Sequence, residues 1–197
     1  QITKIDFNAR KWTLRSSDNR EFYDFDYLIM AIPAPQAAIL LAGQTRHYQF
    51  VKDIKMQACF TLMIGLTQAI DIGFDAAFVN NSILSWIANN SSKIGRPANM
   101  SLVINADNDW SEQHIDEDIE VVKHEMLTAL NEIIELPEQN IGHIDMQRWR
   151  YANATDRKEF SLYDEQLNLG ICGDWLVAGK GEGAFISGMD LFSKISA

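Results

Sequence analysis

Residues 169–192, LGICGDWLVAGKGEGAFISGMDLF, constrain the fold more than any other stretch of the chain. A short apolar run (Leu169, Ile171, Cys172) reaches Gly173-Asp174, a glycine-rich turn follows with Gly179, Gly181 and Gly183, and helical spacing sets in at Ala184. Strand, acidic residue, glycine loop and helix start, in that order, predict a site for a polar ligand with a negatively charged part. Glycines let backbone N–H groups approach closely, and a helix N-terminus adds unpaired donors at the positive end of its macrodipole. Two plainer roles stay open. Asp174 could cap the loop by accepting backbone N–H bonds. Ala184, Ser187 and Gly188, spaced by three and four, would suit close packing of a helix on a sheet with or without a ligand nearby.

Gly179-Lys180-Gly181-Glu182-Gly183-Ala184 satisfies the pattern GxGxx[GA]. A first βαβ dinucleotide unit also needs a second parallel strand with an acidic residue about 20 positions onward. The sequence reaches only Ala197, so the loop is expected at the last strand and helix of a sheet. No P-loop is present, because Gly179-Lys180 is followed by glycine. Ser187 lacks the upstream glycine of a nucleophile elbow. The histidines (His47, His114, His124, His143) show no metal-ligand spacing, and no metal site is expected. Cys59 and Cys172 lie far apart in apolar runs and read as small buried hydrophobes.

A chain of 197 residues with 47% hydrophobic content can bury a real core. Its net charge of −10, with no block of Lys or Arg, argues against nucleic-acid or anionic-membrane partners. No apolar run approaches the roughly 18–20 residues that span a bilayer, and no signal peptide is visible, so the expected location is cytoplasmic. The first residue is Gln1, in what reads as the middle of a sheet, and the expectation is an internal piece of something longer.

Residues 1–32 read as a three-stranded meander. Ile5 and Phe7 alternate with polar neighbours, as do Trp12 and Leu14, and residues 22–32 pass from a mixed strand into a continuously apolar one (YLIMAI) expected to be buried on both faces. A short helix over 36–41 follows Pro33-Ala34-Pro35. From 45 to 145, apolar runs at 58–66, 76–79, 84–88 and 101–106 predict an antiparallel sheet, and Ile115, Ile119, Val122, Met126, Leu130 and Ile133 predict one long helix. The acids crowding its start (Asp116, Glu117, Asp118, Glu120) read as a solvated face matched to the helix dipole. Residues 143–151 predict a strand, 153–168 a polar connection. Trp86 and Trp149, and less so Trp110 and Tyr151, are candidates for an aromatic pocket, although tryptophans are mostly core residues.

These residues carry a resemblance. The closing stretch resembles the C-terminal flavin-binding motif of FAD-dependent amine oxidases, a Gly-Asp strand end followed by a V-E-G-A helix start and a Ser-Gly. Here those elements are Gly173-Asp174, Glu182-Gly183-Ala184 and Ser187-Gly188, with Gly181 where the family has Val. Residues 26–36 (DYLIMAIPAPQ), 84–96 (LSWIANNSSKIGR), 109–111 and 147–152 (QRWRYA) are similar to the renalase-like branch, so the resemblance covers essentially the whole chain. The family's N-terminal βαβ unit with GxGxxG, about 30 residues of structure, has no counterpart in this sequence.

The resemblance implies an α+β/α/β architecture. Residues 1–45 and 146–197 would form the C-terminal part of a glutathione-reductase-like FAD/NAD(P)-binding domain, and 46–145 an inserted antiparallel-sheet substrate domain covered by the long helix. FAD is the implied cofactor of the complete protein, contacted by Gly173, Asp174, Glu182, Gly183 and Ala184, with Asp174 on the ribityl hydroxyls and the Gly183 and Ala184 amides toward the isoalloxazine. Trp86, Arg96, Arg148 and Trp149 would lie near the substrate pocket, and no catalytic residue is assigned. The implied activity is oxidation of a small amine or a dihydronicotinamide-type substrate by hydride transfer to flavin. These 197 residues alone are expected to be inactive, to bind FAD weakly, and to self-associate through the surface left by the missing unit. The competing reading is a small-molecule or protein-binding module derived from the same fold.

Overall fold

The computed structural model describes residues 1–97, 99–154, 159–177 and 179–196. Ala178 of the glycine-rich stretch and residues 155–158 of the polar connection lie outside the described residues. The chain divides into two compact units, Gln1–Met56 with Asn153–Ala197, and Gln57–Ala152. Together they make an α+β protein with three sheets among the described residues.

Unit 1 opens with an antiparallel meander of β1 (Ile2–Asn8), β2 (Lys11–Ser16) and β3 (Glu21–Phe25). Ala9 and Arg10 take positive φ at the first turn, and Asn19 does so at the second. Trp12 anchors the meander: its ring is buried against Phe7, and its indole N–H donates to the Leu167 carbonyl at 2.8 Å. A buried tryptophan is stable there because its one polar atom is satisfied.

The expected long strand over 22–32 is two strands. Asp24 at φ 67° and a bend at 26–27 separate β3 from β4 (Leu28–Met30), which leaves the meander for a different sheet. That sheet runs β10 (Leu162–Asp164), β11 (Leu169–Ile171), β4, antiparallel then parallel. Among the described residues β4 is an edge strand and is not buried on both faces: Ile29 is 54% exposed.

Helix α1 (Ala34–Leu41) starts just after Pro33 and ends on Ala42 in the left-handed region. A short α2 (Tyr48–Asp53) and strand β10 are additions to the expected elements. β10 hides in polar sequence because its buried Asp164 is paired, accepting from the Thr45 hydroxyl at 2.6 Å. The last helix, α5 (Gly181–Ser196), starts three residues earlier than expected, so Gly181 and Gly183 belong to its first turn and not to a loop.

Unit 2 is a five-stranded sheet in the order β6 (Ala76–Phe78), β7 (Leu84–Asn89), β8 (Ser101–Ala106), β5 (Met56–Leu66), β9 (Ile141–Ala154). Strict alternation along β5 buries Phe60, Leu62, Ile64 and Leu66 on one face. The expected single helix is two. α3 (Asn108–His114) is capped by Asp107, and α4 (Ile119–Asn131) by Asp118, whose carboxylate accepts the Glu120 N–H at 2.8 Å. Asp118 thus works as an N-cap, and Asp116 pairs with Arg150 at 2.6 Å.

α3 completes β5 where the strand ladder stops. Asn108 donates to the Ala58 carbonyl at 2.6 Å, Glu112 accepts the Ala58 N–H, and the Ser111 hydroxyl accepts the Phe60 N–H at 3.3 Å. α4 covers the sheet through Val122, Met126 and Leu130. Met126→Ala should therefore cost about 2–5 kcal/mol of stability. Val121→Ala, on the outer side at 49% exposed, should stay within about 0.5 kcal/mol. Urea unfolding of both variants checks this register.

Candidate functional site

The strand end at Gly173-Asp174 is fixed from below and from the side. Below lies Trp175, fully packed, with its indole N–H donating to the Ile32 carbonyl at 3.1 Å. A Cβ on Gly173 would stand 2.5 Å from that indole nitrogen, so the residue must be glycine for steric reasons. From the side, the buried Ser187 hydroxyl accepts the Gly173 N–H at 2.9 Å and donates to the Phe160 carbonyl at 2.6 Å. Ser187 sits in the second turn of α5, so this single hydroxyl ties helix, strand end and the 160 segment together.

Asp174 opens a short 3₁₀ turn (Asp174–Leu176) and is half-buried. Its backbone carbonyl accepts the Val177 N–H at 2.9 Å and the Gly179 N–H at 3.0 Å, and Gly179 turns the chain at φ 59°, a conformation that suits glycine. Its carboxylate accepts one hydrogen bond, from the Trp175 N–H to Oδ1 at 3.0 Å. Among the described residues Oδ2 accepts none. The capping role open at the sequence level is thus partly filled, by one backbone N–H.

At the start of α5 the Ala184 N–H donates to the Lys180 carbonyl at 3.1 Å and is spent inside the helix. The Gly181, Glu182 and Gly183 amides have no acceptor among the described residues, as expected for the first turn of a helix. Glu182 is exposed at this turn, where its charge suits the dipole. The face that packs on the sheet is Gly183, Ser187 and Leu191, not Ala184 and Gly188. Ala184 is exposed, and a Cβ on Gly188 would meet open space. Gly170 of β11 makes the close approach possible, because a Cβ there would lie 2.8 Å from a Leu191 methyl carbon. Farther along, Asp190 accepts from Ser161 at 2.6 Å and from Lys194 at 2.8 Å, while Lys194 also donates to the Ser161 carbonyl at 2.7 Å.

In unit 2 the sheet face away from α4 carries Trp86 and Trp149. The Trp149 indole N–H donates to Thr61 at 3.2 Å, Thr61 donates to Asn105 at 3.0 Å, and Asn105 is the register partner of Trp86. This row crosses four strands and leaves both indoles on one face, with Phe78 edge-on to Trp86 at 4.8 Å. Arg148 lies on the opposite face, its guanidinium 5.5 Å from the centre of the Phe60 ring and bonded to the Glu117 carbonyl. Arg96 lies in the loop between β7 and β8, at one end of the sheet. Of the four pocket candidates, the fold brings together the two tryptophans and separates the two arginines from them. Thr61 and Asn105, which link the pair, have no signal in the sequence beyond their alternation with buried neighbours.

Two predictions follow from the ties on α5. Ser187→Ala leaves the Gly173 N–H and the Phe160 carbonyl without their partner, and each loss should cost about 1–3 kcal/mol, measured by urea unfolding. The Lys194 ammonium, and then the Ser161 hydroxyl, hold the Asp190 carboxyl below its ordinary value of 3.8. The unfolded chain takes up this proton more readily, so the contribution is full above that value and is lost as pH falls through the lower folded one. Unfolding midpoints should drop on acidification through this window, and drop less steeply in Asp190→Asn.

No protein-family model matches the chain. Among solved structures, a protoporphyrinogen oxidase-like protein from Exiguobacterium sp. 255-15 matches with a TM-score of 0.75 and 15% identity, over 99% of this chain and 46% of that one. Cyclohexylamine oxidase from Brevibacterium oxydans IH-35A matches at 0.73 and 10% identity, over 100% and 48%. A putrescine oxidase variant from a redesign of cofactor binding matches at 0.74 and 10% identity, over 99% and 48%. The chain spans about half the length of these structures, and at such identities the likeness is one of fold. Along essentially all of its length, this chain has the fold of about half of each of these oxidase structures.

Proposed function

We propose that the chain is the part of an FAD-dependent oxidoreductase that contacts the ribityl and isoalloxazine side of the flavin through unit 1 and carries the substrate-binding sheet in unit 2. The observation that carries this reading is that Asp174, whose Oδ2 accepts no hydrogen bond among the described residues, lies beside the start of α5, where the Gly181, Glu182 and Gly183 amides have no acceptor among the described residues. Both stand at a strand end held by Ser187, in a fold shared with amine oxidases. The residues present suit such a cofactor. Asp174 would accept hydroxyl hydrogens of the ribityl chain. The Gly181, Glu182 and Gly183 amides would donate toward the end of the ring system where negative charge gathers, an interaction a helix N-terminus favours by roughly 0.3–1 kcal/mol. Gly173 and Ala184 would shape the site without donating, since the amide of each is already bonded.

Bound FAD would supply the two-electron chemistry, oxidising a small amine or a dihydronicotinamide-type substrate by taking up a hydride. The chain's own contribution is to bind and orient. Trp86 and Trp149 offer flat apolar surface, and Thr61 and Asn105 between them offer polar atoms. Such a mixture is what sites for small molecules use to combine burial with orientation.

In the longer flavoprotein that this reading implies, an N-terminal GxGxxG unit would hold the ADP part of FAD. The 197-residue chain alone should therefore show weak affinity, without submicromolar binding in an FAD fluorescence titration. The longer protein should carry flavin absorbance as purified, and Asp174→Ala should lower its FAD affinity about tenfold, the loss of a hydrogen bond to a charged group, while the FAD-free protein still unfolds cooperatively, its midpoint lowered only by the loss of the acceptor for the Trp175 N–H. A longer protein that is colourless and gains no flavin absorbance on refolding with FAD would refute the proposal.

A further inference from the structure

One end of the unit 2 sheet opens into a cleft of about 490 Å³, within the range of small-molecule sites. Gly65 of β5 and Gly142 of β9 line it with bare backbone, and a Cβ on Gly142 would stand 2.9 Å from the Thr67 methyl carbon. The other wall is the connection from β7 to β8, tied back on itself by one hydroxyl. Ser91 Oγ donates to the Asn99 carbonyl at 2.6 Å and accepts the Ser101 N–H at 2.8 Å. Within this loop the Arg96 N–H donates to the Lys93 carbonyl at 3.2 Å, closing a β-turn whose third residue, Gly95, has φ +79°. The turn sets Arg96 beside Lys93, whose ammonium donates to Asn90 Oδ1 at 2.9 Å.

The polar lining contains donors and no acid: Arg96, His143, Asn90, Asn99, Ser91 and Ser101. Acids outnumber Lys and Arg by 27 to 17 in the whole chain, so a cleft free of carboxylates runs against its composition. Among the described residues the Arg96 guanidinium has no carboxylate partner, which leaves its fork of donors available. Arg96 is the one formally charged side chain in this lining among the described residues, and a guanidinium binds a planar or tetrahedral oxyanion with two parallel bonds.

We propose that this cleft binds a small molecule through an oxyanion, a phosphate or a carboxylate, held by Arg96 and His143 with the neutral side-chain amide donor of Asn90. The site lies wholly in unit 2 and is independent of the flavin reading. Inorganic phosphate and, separately, succinate are titrated into the 197-residue chain at constant ionic strength, with chloride as the control. The Arg96 side-chain and His143 ring signals are followed by NMR. Saturable shifts at both residues with either anion are expected; saturation by phosphate alone assigns the phosphate class, and by succinate alone the carboxylate class. Arg96→Gln should weaken binding about tenfold or more. His143→Asn should also weaken it, and serves if the first variant does not fold. Shifts no larger than with chloride, or equal titrations in the wild type and a folded variant, would overturn the proposal.

Discussion

The Ser187 hydroxyl is the point on which the candidate cofactor site depends. It is buried and spends both hydrogen-bonding roles on backbone, accepting from Gly173 and donating to Phe160. Without it, a part-buried strand-end amide and a carbonyl would both lose their partner, at a cost of about 1–3 kcal/mol each. Its position in the second turn of α5 also decides where the helix N-terminus stands relative to Asp174. Gly170 under Leu191, and Ser161 between Asp190 and Lys194, hold the rest of the helix in the same seat. This strand end is therefore shaped by packing and by backbone hydrogen bonds, and Asp174 Oδ2 and the first amides of α5 are the polar atoms left without a partner among the described residues.

Unit 2 follows a different logic. Its sheet devotes one face to α4 and keeps the other as a row of indoles and short polar side chains. Thr61 and Asn105 pair across strands, which lets two polar residues occupy the middle of a sheet face at little cost, because each satisfies the other. Phe60, on the opposite face, does the complementary work of seating Arg148. One strand thus presents an apolar side and a mixed polar and aromatic side by alternation alone.

Much of this was legible in the sequence. The meander, the alternating strands of the inserted sheet and the strand–Asp–glycine–helix order could all be read from period and turn chemistry, because in those segments local preference and tertiary packing agree. The misses arise where tertiary partners decide. β10 looks polar because Asp164 is buried with a partner 119 residues away, Thr45. The apolar run after Asp26 looks buried on both sides, yet β4 is an edge strand and Ile29 faces outward. The periodic run 115–133 hides a break, whose only local sign is that Asp118 is a better N-cap than a helix-interior residue. In the candidate site the glycines were visible but their reasons were not. Gly173 makes room for an indole and Gly170 for a leucine, whereas Gly181 and Gly188 meet no neighbour.

The pairing of β4 with β11 has a bearing on the order in which the chain can fold. Leu28 meets Leu169 in a parallel ladder, and the whole of unit 2 lies between them in sequence. Closing so long a loop costs entropy that only the finished sheet returns, whereas unit 2 is continuous and needs no partner from outside residues 57–152 to build its core. On a ribosome the inserted unit can condense while β4 still waits for its neighbour. Once condensed, unit 2 shortens the effective loop that β4 and β11 must close, so the insertion acts as a folded clasp that brings the two halves of unit 1 within reach of each other.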